Sequence, residues 1–197
     1  MIILKNRYLY AVLPRGAGDY FASVARSCGA KGATLYMGRG TAGNSILKAL
    51  GIGSSKKDVV IMNSTDDVAD SVLAKSVEDP LIKGVAAVVG GDDMQTQYDL
   101  ITIIVNSGYS DDVMHAARKA GSIGGTVTNA RGTALPSDQN SFLGITIVPE
   151  KEMIYMISEK DKTKAITDAI MGLECLKEKG MGVMYVQPVS KFIQLGK

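Results

Sequence analysis

The stretch Cys28-Gly-Ala-Lys-Gly-Ala-Thr-Leu-Tyr-Met-Gly-Arg-Gly-Thr-Ala42 returns in altered form as Ala120-Gly-Ser-Ile-Gly-Gly-Thr-Val-Thr-Asn-Ala-Arg-Gly-Thr-Ala134. Seven of the fifteen aligned positions are identical without gaps, and four of the seven are consecutive. The identical pairs, each 92 residues apart, are Gly29 and Gly121, Gly32 and Gly124, Thr34 and Thr126, Arg39 and Arg131, Gly40 and Gly132, Thr41 and Thr133, Ala42 and Ala134. A repeat of this length is typical of a small domain and too long for a solenoid unit. It therefore predicts two related domains, residues 1–93 and 94–197.

The composition narrows the function classes. The chain has 197 residues, of which 46% are hydrophobic and 21% charged, so each half can bury a core of its own. The net charge of +2, without a basic stripe, argues against nucleic-acid binding. Two separated cysteines and one histidine favour neither a zinc site nor a disulfide scaffold. No stretch is apolar enough to span a membrane and no signal peptide is evident, so we expect a cytoplasmic protein.

The first half alternates strand-like and helix-like segments. Aromatic and β-branched residues predict strands at 8–13, 34–37, 58–62 and 84–89. Apolar residues at helical spacing predict a helix from Asp19 to Cys28, closed by Gly29. A second helix is expected to begin after Thr65 and to run to about Val77. Between the second and third strands lies a long Gly-rich excursion, residues 41–57.

The same order restarts after a short polar hinge. Strands are predicted at 100–105, 126–130, 144–149, 153–157 and 182–186, and Val189 to Lys197 is expected to be a tail. Helices are predicted from Ser110 to Ala120 and over residues 161–179, with a shorter excursion at 131–142. Each half thus has the order β-α-β-β-α-β. The predicted fold class is α+β, with two tandem ferredoxin-like plaits, each with two helices on one face of an antiparallel sheet.

Few residues suggest catalysis. His115 lies inside a predicted helix, and the acidic pairs at 66–67 and 111–112 are at helix starts, where they favour the helix dipole. No nucleophile elbow or triad-like signature is present, so we do not expect an enzyme. The repeated Gly-Arg-Gly-Thr-Ala phrase has two interpretations. In the first, it forms a turn with positive φ, and its arginines are solvated or paired within the fold. In the second, it contacts an anion or a nucleotide.

The repeated residues resemble the PII signal-transduction family, the small trimeric nitrogen regulators. The resemblance is strongest over residues 99–192, where Asp111-Asp112-Val113, the Gly121–Gly124 turn and Thr126-Val127-Thr128 are similar to the family's first helix and second strand. Val189 follows Pro188 where the family has its final strand-to-tail turn. The first half shares the Gly-Arg-Gly-Thr-Ala phrase and is otherwise more diverged.

The resemblance implies an ATP or ADP site in a cleft between neighbouring units. It also implies a mobile loop after the second strand that contacts a partner protein, here residues 41–57 and 133–142. Backbone N–H groups at Gly-rich turns approach phosphate oxygens without a Cβ in the way. The implied ligand-binding positions are Thr34, Arg39, Gly40, Thr41, Thr126, Arg131, Gly132, Thr133, Gly180 and Gly182. A homo-oligomer, either a trimer or another ring, is expected by the same resemblance.

The chain also departs from the family pattern. Where the family has a lysine after the second glycine of its phosphate-facing loop, this chain has Val183. Gln194 and Gly196 stand where the family carries tail arginines. Such cations form the strong, charge-assisted bonds to phosphate. Two hypotheses are therefore open: a regulatory sensor of a small effector, or an interaction protein of the same fold that has lost the nucleotide.

Overall fold

The computed structural model describes residues 7–41, 55–90, 96–131, 141–142, 145–146, 150–177 and 181–196. The first half contains β1 (Arg7–Pro14), α1 (Gly18–Ser27), β2 (Thr34–Gly40), β3 (Ser55–Ser64), α2 (Asp66–Glu78) and β4 (Gly84–Val89). The second half contains β5 (Tyr98–Asn106), α3 (Ser110–Lys119), β6 (Thr126–Arg131), β7 (Ser141–Phe142), β8 (Ile145–Thr146), β9 (Glu150–Glu159), α4 (Lys160–Met171), a 3-10 turn (Glu174–Leu176) and β10 (Gly182–Leu195). The order β-α-β-β-α-β thus occurs twice, with β7 and β8 as a small added hairpin.

The first half is a plait with its helices on one face. Its strands lie in the antiparallel order β4-β1-β3-β2. Alternate residues of β1, such as Leu9 and Leu13, point to the helix side and pack with Phe21 of α1 and Val72 of α2. Since successive side chains of a strand face opposite ways, the residues between them face the other side of the sheet.

The second half repeats this construction. Its strands follow the order β10-β5-β9-β6, again antiparallel. Ile101 and Ile103 of β5 pack with Val113 of α3 and Ile166 of α4, and all four are almost fully buried. Each half therefore has its own helix-side core, as the apolar spacing predicted.

The two sheets join edge to edge and close into one eight-stranded barrel. β2 pairs with β6 where Gly38–Gly40 faces Thr126–Thr128, and β4 pairs with the end of β10. The helices lie outside the barrel. A third, smaller cluster fills part of its interior and includes Ala87, Leu100 and Val189. Closure gives the edge strands of each half a hydrogen-bonding partner in the other half.

The structure corrects two sequence predictions near the C-terminus. The expected tail at 189–197 is instead the second part of β10, which pairs with β5 up to Val189 and then with β4 up to Leu195. The edge of β4 supplies the hydrogen bonds that a tail would lack. The helix predicted over 161–179 ends at Met171 because Gly172 follows, while Leu173 and Leu176 still pack on the core beyond it.

The helix ends explain part of the repeated phrase. Gly29 and Gly121 follow α1 and α3, and both have positive φ, 96° and 104°. Their N–H groups donate to the carbonyls of Arg26 and Arg118, which closes each helix with a left-handed residue. None of the helices in the described ranges has both the length and the apolar character that crossing a bilayer demands.

Candidate functional site

The repeated phrase of the first half lies where the two halves meet. Gly38 and Gly40 belong to β2 and have no positive φ, so the interpretation as a left-handed turn is wrong for this half. The reason for glycine here is close approach. A Cβ on Gly38 would lie 3.0 Å from the carbonyl oxygen of Val127 and equally close to a methyl group of Thr128. The short contact allows β2 to approach β6.

Thr41, the first residue of the predicted loop 41–57, is bonded to the glycine turn of the second half, residues 121–125. Residues 55–57 of that predicted loop belong to β3 instead, because their backbone pairs with β2. The Thr41 backbone N–H donates to the Gly125 carbonyl at 2.8 Å, and its hydroxyl donates to the same oxygen at 2.8 Å. The Gly125 N–H donates in return to the Thr41 hydroxyl at 2.9 Å. Arg118 donates to the Thr41 carbonyl. Thr41 is 4% exposed, so these bonds form in a largely dry environment, where hydrogen bonds are stronger.

Gly125 accommodates this arrangement because it has no side chain. A Cβ at this position would lie 2.8 Å from Met156 and 2.9 Å from the Tyr155 carbonyl oxygen. Since the Tyr155 carbonyl is backbone, it cannot give way cheaply. Any larger residue at 125 would displace the turn to which Thr41 is bonded.

Arg39 points to the helix side of the sheet. Its guanidinium donates to the Ser110 hydroxyl at 2.8 Å and to Asp111 at 3.1 Å, at the start of α3, and lies 3.9 Å from a Glu152 carboxylate oxygen. This arginine of the first half is thus paired with acids of the second half. The pairing agrees with the interpretation in which the arginine is held within the fold.

A cavity of about 420 Å³ lies on the other face of β2, inside the barrel. Its deep wall is apolar and includes Val59 and Leu100, which are buried. Buried Gly40 and Thr126 and partly exposed Lys57 also line the cavity, together with Gly124 and Gly125. The exposed side chains of Ile123 and Gln194 mark where it opens to solvent. The volume is within the range of small-molecule pockets.

Tyrosines form much of the cavity side of the barrel. The rings of Tyr10 and Tyr155 lie 5.9 Å apart, and the Tyr36 hydroxyl is 2.9 Å from that of Tyr155. Burial, together with the neighbouring tyrosines, raises the pKa of Tyr10 to about 12. Burial is also the main cause that raises the pKa of Tyr36 and of Tyr155. The interior therefore disfavours charge and keeps these phenols neutral.

The structure brings some of the predicted ligand positions together. Gly40, Thr41 and Thr126 meet at the junction of β2 and β6. Thr34 is six residues from Gly40 along β2, about 20 Å away in an extended strand. Gly182 lies on β10, which β9 and β5 separate from β6. The predicted positions therefore do not form one compact site.

The remaining predicted positions belong to the second excursion and the last loop. The backbone of Arg131 pairs with Glu150 at the end of β6. Gly132, Thr133 and Gly180 lie outside the described residues, as do most of the loops 41–57 and 133–142.

Sequence reasoning missed Lys57, Gln194 and the tyrosines that face the cavity. The available signal was alternation: Lys57 and Val59 of β3, and Tyr10 and Val12 of β1, are spaced by two residues and share one face. That face became an interior only when the second half closed the barrel.

Residues 98–196 match the family model of nitrogen regulatory protein P-II. This chain belongs to the P-II family. The match covers the whole second plait, including the glycine turn and Thr126, and it confirms the PII-like α+β fold predicted from the sequence. The chain is therefore a PII-like regulatory protein.

Solved structures resemble the chain to different extents. The citrate-bound PII of Arabidopsis thaliana is 23% identical over 49% of this chain and 78% of its own, with a TM-score of 0.37. A GlnK–ATP complex from B. subtilis is 18% identical over 48% of this chain and 85% of its own, with a TM-score of 0.39. A chlorite dismutase mutant from Candidatus Nitrospira defluvii is 9% identical over 96% and 93%, with a TM-score of 0.26. No curated protein matches the sequence significantly.

Proposed function

We propose that this PII-like protein senses a small effector at the junction of its two halves and signals the result to a partner protein. The observation that carries the proposal is the set of hydrogen bonds between Thr41 and Gly125. It connects the first residue of the predicted loop 41–57 to the glycine turn, residues 121–125. An effector that contacts this turn would bind the two states of the loop unequally, as a switch requires.

An adenine nucleotide, ATP or ADP, is the first candidate effector. The proposed contacts are Gly40, Thr41 and Thr126, with Arg131, Gly132 and Thr133 extending the site in the second half. Thr34, Arg39, Gly180 and Gly182 complete the set implied by the family. The loops 41–57 and 133–142 would contact the partner, in nitrogen-related regulation. We expect a cytoplasmic, non-enzymatic homo-oligomer. The domain boundary between residues 93 and 94 stays a prediction, since residues 91–95 lie outside the described residues.

Calorimetric titration with ATP, ADP and AMP, with and without Mg²⁺ and 2-oxoglutarate, tests the effector. We expect saturable heat below millimolar concentration for at least one nucleotide. Hydrogen exchange of residues 41–57 should then slow in its presence. No saturable heat with any of the three nucleotides would contradict the nucleotide assignment.

Thr41→Val tests the coupling. Valine has nearly the shape of threonine but loses both hydroxyl hydrogen bonds to Gly125. Because Thr41 is also a proposed contact, the nucleotide should bind more weakly, and at saturating nucleotide the loop response should still be smaller than in the unmodified protein. Thr167→Val is the matched control, because that hydroxyl donates within its own helix, to the Lys164 carbonyl at 3.0 Å. A loop response that is full in Thr41→Val would contradict the coupling.

The second candidate is an interaction protein that keeps the fold and has lost the nucleotide. It is favoured by Arg39, which already pairs with Asp111 and Glu152. Val183, which stands where the family has a lysine, also favours the loss of nucleotide binding. A chain that forms an oligomer by light scattering, yet gives no heat with any nucleotide, would establish this alternative.

A further inference from the structure

We propose that the open edge of β10 joins two copies of this chain, through antiparallel pairing of residues 182–186 around a two-fold axis at Met184. β5 pairs along one edge of β10 from Gly182 to Val189, whereas β4 joins the other edge only from Val189 onward. Among the described residues, no strand pairs with that other edge between 182 and 187. The proposal goes beyond the homo-oligomer expected above, because it names the surface and the register.

Two hydrogen bonds show which way the backbone of β10 points. The Asn106 N–H of β5 donates to the Met181 carbonyl at 3.3 Å, so residue 181 bonds toward β5. Further along, the Pro188 carbonyl accepts the Gly90 N–H at 3.4 Å, on the side of β4. Both bonds fit one alternation, since successive residues of a strand bond to opposite sides. The even-numbered residues between them therefore direct their N–H and C=O groups away from β5.

This open edge is complementary to itself. Its outward groups belong to Gly182, Met184 and Val186. When Met184 faces Met184 of a second copy, Gly182 faces Val186 and each facing pair exchanges both of its hydrogen bonds. An axis at Tyr185 would instead place Gly182 opposite Pro188, which has no N–H to donate. Pairing centred on Met184 is thus the register that gives every outward group a partner.

The side chains of the edge favour the same register. Val183 and Tyr185 share one face of β10 and are 62% and 41% exposed. In this register Val183 stands opposite Tyr185 of the second copy, and a β-branched residue and an aromatic ring stabilise each other across antiparallel strands. Residues 182–187 carry no charge, so two copies meet without the like-charge repulsion that protects many single edges.

Sedimentation equilibrium of the full chain and of Val186→Pro tests the contact. The Val186 N–H points outward, so proline leaves the pairing with β5 in place and removes one donor from each copy. A contact over five residues is smaller than the roughly 800 Å² per partner of a standard interface, so we expect a reversible dimer. The variant should associate roughly tenfold more weakly or worse.

Val186→Thr is the matched control, because threonine keeps both the N–H and the β-branched shape. It should associate like the unmodified chain. Circular dichroism verifies that each variant is folded. A monomeric unmodified chain, or an oligomer that persists unchanged in folded Val186→Pro, would overturn the proposal.

Cross-linking tests the register and decides the matter if Val186→Pro does not fold. Facing residues that share no hydrogen bonds have Cα atoms about 4.5 Å apart, which suits a disulfide. A mixture of Val183→Cys and Tyr185→Cys chains should therefore form covalent dimers under oxidation. Each variant alone, and the unmodified chain with its Cys28 and Cys175, should form far fewer. A mixture that cross-links no more than its components would overturn the register.

Nucleotide binding is measured separately in the same samples. Gly182 is also one of the nucleotide contacts implied by the family, and Val186→Pro retains it. Weaker association with unchanged ATP heat would support the edge contact without touching the nucleotide proposal. A chain that dimerises through this edge but gives no ATP heat would contradict the nucleotide proposal alone.

Discussion

In both halves a strand carboxylate accepts hydrogen bonds from the start of the first helix, but the arginine that pairs with this carboxylate comes from a different place in each half. In the first half, one Asp58 oxygen accepts the N–H groups of Gly16 and Gly18 at 2.8 and 3.1 Å. In the second half, one Glu152 oxygen accepts those of Gly108 and Ser110 at 2.9 and 3.2 Å. The donors are 92 residues apart, as in the repeated phrase.

The second oxygen of each carboxylate marks the difference. That of Asp58 lies 3.6 Å from Arg15, which belongs to the same half. That of Glu152 lies 3.9 Å from Arg39, which belongs to the other half. The carboxylate that holds the helix start thus pairs with an arginine of its own half in the first half, and with an arginine of the other half in the second. The comparison teaches that a repeated motif keeps its backbone role while its side-chain partners change.

The largest effect is expected from removing either carboxylate. Asp58→Ala and Glu152→Ala each leave two N–H groups at a helix start without an acceptor, one of them on a buried residue, Gly18 or Ser110. The loss should cost about 2–3 kcal/mol of the free energy of unfolding. Urea unfolding measures it. Glu152→Gln retains an acceptor of the same length and should cost clearly less. A loss confined to one half would show that the two devices are not equivalent.

The barrel interior gives a second comparison, between Tyr10 and Thr102, which are also 92 residues apart. Thr102 is fully buried, and its hydroxyl has no hydrogen-bond partner among the described residues. Thr102→Val removes this unsatisfied group and should stabilise the fold by about 1 kcal/mol. Thr163→Val is the control that should destabilise it, since that hydroxyl donates to Asp99 at 2.8 Å. Thermal unfolding of both variants shows the sign, and a destabilised Thr102→Val would contradict the prediction.

Replacing the arginines tests the contact between halves. Arg39→Met keeps an aliphatic stem but loses the ion pairs, which are partly solvated, so the cost should be at most about 1 kcal/mol. Hydrogen exchange in the first turn of α3 should become faster. Arg15→Met is the matched variant and should affect α1 instead. Faster exchange at α1 in Arg39→Met would refute the assignment of this arginine to the second half.

The last effect is confined to alkaline solution. The folded pKa of Tyr10, about 12, lies above the ordinary value of 10, so the folded state binds this proton more tightly. Its contribution to stability is complete below pH 10 and is lost as the pH rises to about 12. Tyr10→Phe lacks this loss, so its stability should fall less steeply over that range. Urea midpoints measured from pH 9 to 12 for both proteins test the difference, and parallel curves would contradict it.

Much of each half followed from local sequence. The predicted strand at 84–89 coincides with β4, and the predicted helices at 19–28 and 110–120 differ from α1 and α3 by a residue at each end or less. Apolar spacing and Gly29 or Gly121 determined these elements, because both signals act within a few residues. The candidate site was harder to predict from the sequence. Gly40, Thr41 and Thr126 do meet, whereas Arg39 and Thr34 are placed elsewhere by the two-residue alternation and the length of β2.

What the sequence by itself determined is the repeat, the order of elements and the apolar face of each helix and strand. The tertiary structure alone decided that the tail would become the end of β10, that Arg39 would pair with Glu152, and that Tyr10 and Lys57 would line a cavity. The physical reason is that an edge strand offers the same N–H and C=O groups to any partner. Which partner it takes depends on the closure of the whole barrel, and no local pattern encodes that choice.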